Sequence, residues 1–97
     1  MAITVIVELL AKPGARAELE RLIESLVASE GSSRPAFLGS KRYEVLDNPD
    51  MLVEIADWES AEAREAHMEE AAASGAYAPL TELLAAPFRA TVMRQLP

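Results

Sequence analysis

The chain has 97 residues, 51% of them hydrophobic, with sixteen acidic against nine basic side chains and a net charge of -7. That acidic balance argues against nucleic acid and anionic membrane as partners, since both need a basic face, and the lack of cysteine excludes disulfides, thiolate nucleophiles and Cys-based metal centres. The opening Met1-Ala2-Ile3-Thr4-Val5 carries no basic segment, and no apolar run approaches the roughly 20 residues of a membrane span, so a cytoplasmic protein is expected.

Residues 2–10 are β-branched and nearly all apolar, which suits a strand covered on both faces. Lys12-Pro13-Gly14 ends it. From Ala15 to about Ser29, Leu19, Leu22, Ile23, Leu26 and Val27 recur at steps of three and four, the mark of an amphipathic helix, and Gly31 supplies its stop. The small polar segment Gly31-Ser32-Ser33-Arg34-Pro35 reads as a turn. Phe37 to Leu46 is the next strand, interrupted at Gly39-Ser40, with Phe37, Gly39, Lys41, Tyr43 and Val45 expected on one face. Asp47-Asn48-Pro49-Asp50 is a turn signal, and Met51 to Trp58 should close a hairpin, with Leu52, Glu54, Ala56 and Trp58 on the face opposite Val53, Ile55 and Asp57.

Ser60 is placed to cap a helix running from Ala61 to about Ala72, with Glu62 in its first turn. A shorter helix follows from Tyr77 to Leu84, ended by Pro87, and the alternation of Phe88, Ala90 and Val92 with Arg89, Thr91 and Met93 predicts a last strand to Leu96. The order strand, helix, strand, strand, helix, short helix, strand is the split βαβ pattern. It predicts an α+β fold over residues 1–97 as one domain: a ferredoxin-like four-stranded antiparallel sheet with helices on one face. Because the first strand is apolar on both sides, the uncovered face calls for a second copy of the chain, so a homodimer closing an α+β barrel is expected.

Lys12-Pro13-Gly14, Pro35-Ala36-Phe37-Leu38-Gly39, the run Asp57-Trp58-Glu59-Ser60-Ala61-Glu62-Ala63 with His67, and Leu83-Leu84 before Pro87 together resemble the antibiotic biosynthesis monooxygenase family of dimeric α+β barrel proteins. The resemblance implies oxygenation of a quinol-like or polyketide-like aromatic by dioxygen, with no metal or organic cofactor, in a dry cavity that holds an enolate or phenolate. Against the polyketide oxygenase branch, Trp58 keeps the family's Trp, while Glu54 stands for a pocket Asn, Arg64 for a Tyr, and Ala78 falls near a pocket Arg. Against the haem-degrading branch, Val7, His67 and Tyr77 fall where an Asn, a Trp and the haem-ligating His would be, so the resemblance does not extend to haem breakdown. A second His common among relatives is Ala72 here, and the usual Gly before Phe37 is Ala36.

Trp58 can wall an aromatic guest or simply close the core. His67, two turns into its helix, can accept a phenolic or α-carbonyl proton, or can be a helix histidine bonded to Glu8 or Asp57. Tyr43 and Tyr77 carry hydroxyls suited to a carbonyl oxygen. Arg64 and Arg89 are candidate anion partners. Glu8 and Glu54 each interrupt an apolar strand, where a buried carboxylate needs a partner or a raised pKa. The expectation is a monooxygenase with catalytic His67 and Trp58 and with Tyr43, Glu54, Arg64 and Tyr77 binding substrate. The alternative is a non-catalytic ligand-binding or interaction module of the same fold.

Overall fold

The computed structural model describes residues 2–31 and 36–97. Its elements are β1 (Ile3–Leu10), α1 (Arg16–Gly31), β2 (Phe37–Val45), β3 (Asn48–Trp58), α2 (Ala61–Ser74), α3 (Ala78–Glu82) and β4 (Arg89–Met93). They follow the expected order. Ser32 to Pro35, the greater part of the expected turn, lie outside the described residues.

The four strands form one antiparallel sheet in the order β2-β3-β1-β4, the ferredoxin-like arrangement. The near-continuous apolar run of β1 occupies an interior position, paired with β3 on one side and β4 on the other. Register sorts the side chains. Ile3, Val5 and Leu9 share the helix-covered face with Leu52, Ala56 and Trp58, and all six are buried. Ile6, Leu10, Val53 and Ile55 point the other way and are only partly covered.

The hairpin is tighter than the turn signal suggests. Val45 pairs with Asn48, so the reversal falls at Leu46-Asp47 and β3 begins at Asn48, with three extra β3 residues accommodated between Asn48 and Leu52. Pro49 is tolerated there because it lies beyond the end of the β1 pairing, where no ladder donor is needed. A second shift, between Phe37 and Gly39, changes one expectation. Phe37 pairs with Trp58 while Gly39 pairs with Asp57, so Phe37 faces the helices and does not share a face with Gly39, Lys41 and Tyr43. Gly39 takes a φ of 128° at this bulge, a backbone conformation side chains disfavour.

The helices are seated by few but specific contacts. Leu19 and Ile23 of α1 are buried against Leu9, Leu52, Leu80 and Leu84. The segment after α3 is tied to the end of β1: Lys12 N donates to Leu83 O and Ala85 N to Leu10 O, each at 2.8 Å. Ile3, Val5, Ala56 and Trp58 form a second apolar cluster, with Phe37 and Ala61 packed on it. No helix among the described residues is long and apolar enough to cross a membrane.

Candidate functional site

Between the two apolar clusters the helices leave the middle of the sheet incompletely covered. The gap is a cavity of about 110 Å³, open at one side, floored by Val5, Val7 and Ala56 and roofed in part by Ile23 and Leu26. Among the described residues its polar lining comes from four side chains: Glu54, Arg64, His67 and Tyr77.

One wall is aromatic. Trp58, buried at the end of β3, meets Phe37 edge-on with ring centroids 5.1 Å apart and lies 5.1 Å from the tilted His67 ring. Ser60 caps α2 by accepting a hydrogen bond from Ala63 N at 3.1 Å, which fixes where the helix starts one turn beyond Trp58. From that start, Ala61, Arg64, His67, Met68 and Ala71 fall on one stripe facing the sheet. His67 is only 6% exposed. The turn after α2 is held by Gly75, whose φ of 71° lets its N–H reach back to the helix carbonyls. The chain then delivers Tyr77, whose hydroxyl lies 3.0 Å from His67 Nε2. Among the described residues His67 is thus partnered by Tyr77, whereas Glu8 and Asp57 lie on the opposite face of the sheet. Asp57 faces away from the helices and accepts a hydrogen bond from Thr4 Oγ1 at 2.8 Å.

The two strand carboxylates part company. Glu8 lies on the open face, in register with Val53 and Arg89. Glu54 lies on the cavity face between Leu52 and Ala56. Burial pushes its carboxyl above the ordinary value of 4.5, opposed by the Arg42 guanidinium and the nearby Ser40 hydroxyl. Arg42, opposite it on β2, approaches to 4.0 Å and is shared with Glu24 at 3.7 Å. Neither Ser40 Oγ nor Glu54 Oε2 has a hydrogen-bond partner among the described residues, so burial outweighs the Arg42 charge 4.0 Å away.

Of the residues expected to bind or react, Trp58, His67, Tyr77, Glu54 and Arg64 converge on the cavity. Tyr43 does not. It pairs with Val53 on the opposite face of the sheet and is 47% exposed, because the bulge at Gly39 fixes the parity of β2. Arg89 likewise sits on that face, across from Glu8. Phe37 and Met68 line the cavity without having been singled out for it. The helical stripe through His67 carries a signal for Met68, and the interruption at Gly39-Ser40 marks an irregularity near Phe37 without showing that it turns Phe37 inward.

Ferredoxin-like topology with a cavity between sheet and helices defines the structural class. The model of the family described as "Antibiotic biosynthesis monooxygenase" matches residues 2–78, and the chain belongs to that family. No curated protein matches it. Among solved structures it is similar to a conserved protein from Methanosarcina mazei Go1, at 22% identity over 99% of this chain and 94% of that one, with a TM-score of 0.84. It is similar to a monooxygenase of Streptomyces coelicolor solved with nanaomycin D, at 20% identity, 99% and 88% coverage and a TM-score of 0.83. A third similar structure is a mutant of SnoaB, a cofactor-independent oxygenase from Streptomyces nogalater, at 18% identity, 97% and 92% coverage and a TM-score of 0.80. At these identities the likeness establishes the fold.

Proposed function

We propose that the protein is a cofactor-independent monooxygenase acting on a quinol-like or polyketide-like aromatic. The observation that carries this is the His67–Tyr77 hydrogen bond at the wall of a mostly apolar cavity, beside Trp58. Family membership and the oxygenases among its structural neighbours support the same reading.

In this mechanism a phenolic ring enters against Trp58 and Phe37. Its hydroxyl gives its proton to the Tyr77 oxygen as the Tyr77 proton passes to His67 Nε2, leaving a phenolate in a dry site. The electron-rich ring carbon then reduces dioxygen, and a carbon–oxygen bond forms. The imidazolium returns the proton, giving a hydroperoxide on that carbon. Loss of water from it, taking the carbon's hydrogen and breaking the O–O bond, leaves a quinone carbonyl. One oxygen atom ends in the product and the other in water. His67 and Tyr77 move the proton, Trp58 positions the ring, and Glu54 and Arg64 orient the oxygens.

The test is oxygen uptake with a panel of aromatic quinols: His67→Ala should lower the enzymatic rate about tenfold or more. Equal uptake by wild type and variant, or none across the panel with the protein folded, would overturn the reading. The alternative, a ligand-binding module without chemistry, draws on the same geometry, since a buried histidine between Trp58 and a tyrosine hydroxyl also satisfies a structural role. Binding of the aromatics without turnover would decide for it.

We further propose that the working unit is a homodimer built on the open sheet face, in the cytoplasm. Ile6, Val53 and Ile55 form an apolar strip there, extended by Tyr43 and by Met93, the latter 37% exposed. Covering such a strip with its own copy is the least costly closure for a sheet of this kind.

A further inference from the structure

Arg64 is out of place for a structural arginine. It occupies the sheet-facing stripe of α2, one turn before His67, where an apolar residue would serve packing better. The chain offers sixteen acidic side chains against nine basic ones, and two of its other arginines use them. Arg16 reaches Glu20 and Glu44, each at 3.6 Å, and Arg42 reaches Glu24 and Glu54. Arg64 makes no ion pair among the described residues, and its Nε is buried there without a hydrogen-bond partner. A buried Nε–H left without a partner on a half-buried side chain is costly unless something completes it, and a carboxylate does so by accepting from two parallel guanidinium N–H groups.

We propose that Arg64 makes the cavity selective for aromatic acids, pairing a ring carboxylate while the ring lies against Trp58. The inference rests on the reading of this cavity as the substrate site. Its size suits one ring: an apolar cavity of about 150 Å³ admits benzene, and this one, of about 110 Å³, is open at one side, so substituents can extend outward. Glu54 sets the orientation. A ligand carboxylate is repelled from the β3 wall and attracted to α2, which leaves a ring hydroxyl free to meet Tyr77 and His67.

The paired probes are 4-hydroxybenzoate and 4-hydroxybenzamide, close in shape and different in charge. Binding is read by chemical-shift titration of Trp58 and His67, the chain's one Trp and one His. The acid should bind about tenfold more tightly than the amide, the worth of a charge-assisted pair in a partly dry site. Arg64→Gln should bring that ratio near one by weakening the acid far more than the amide, and Arg64→Lys, which keeps the charge but loses the fork, should restore part of it. A ratio near one in the wild type, or one unchanged in Arg64→Gln, overturns the inference alone. Binding of neither probe overturns it together with the cavity reading, whereas a preserved ratio with no oxygen uptake on any quinol rejects only the oxygenase.

Discussion

Tyr77 and His67 are the two side chains on which the proposed chemistry turns, and they are coupled by one hydrogen bond of 3.0 Å. Tyr77→Phe keeps the ring and removes the hydroxyl. It should cost about 1 kcal/mol of stability, the usual net worth of such a bond, and slow oxygen uptake nearly as much as His67→Ala, because the proton then lacks its route. A variant with wild-type turnover would show that the tyrosine serves packing only. Glu54 makes a different prediction, about pH. Burial raises its native pKa above the unfolded value, so the native state binds the proton more tightly. Stability from this group is therefore full below the unfolded value of 4.5 and is lost as pH rises through the raised native one. Glu54→Gln cancels that loss. Its urea midpoint relative to wild type should improve on going from about pH 4 to about pH 7, and a difference that stays flat would mean the carboxyl is not buried in solution.

At the scale of elements, α2 matters most, because one short alanine-rich helix presents Arg64, His67 and Met68 together. Its cap sets their phase. Ser60→Ala removes the acceptor for Ala63 N and should destabilise the fold by about 1 kcal/mol in thermal or urea unfolding. Loosening the first turn also reaches Arg64, whose backbone N–H bonds to Ser60 O at 3.3 Å, so ligand affinity should fall with stability. Unchanged affinity and stability would show that the helix start is held by Ala61 packing on the Trp58 cluster instead. The sheet makes the complementary contribution: β3 carries Trp58 and Glu54 on the same face through its two-residue period, and no helix movement alters that relation.

At the scale of the molecule, the sheet divides two uses of apolar surface. The helix-covered face holds the core and the cavity, and the other face carries Ile6, Val53 and Ile55 with little over them. The proposed dimer predicts a sedimentation coefficient of two chains at micromolar concentration. Ile55→Lys, in the middle of that face and opposite Ile6, should shift the protein to monomer while leaving its helical signal intact. A wild-type protein that sediments as a monomer would leave the exposed strip to another partner.

Periodicity together with local turn and capping chemistry determined the order of the elements, the ferredoxin-like class, the cap at Ser60 and the grouping of Glu54 with Leu52, Ala56 and Trp58. These follow from local rules, a period of two for strands and 3.6 for helices, which need no knowledge of distant chain. Which face of the sheet the helices cover was a tertiary decision, and it is what sent Glu54 into the cavity and Glu8 to the open side. The pairing of His67 with Tyr77 was also tertiary. Ten residues and a left-handed turn at Gly75 separate them, so helix spacing cannot bring them together. The same holds for Phe37 and Tyr43: a single extra residue before Gly39 reverses parity along β2, turning one inward to Trp58 and leaving the other outside, and only the partner strand reveals where that residue is absorbed.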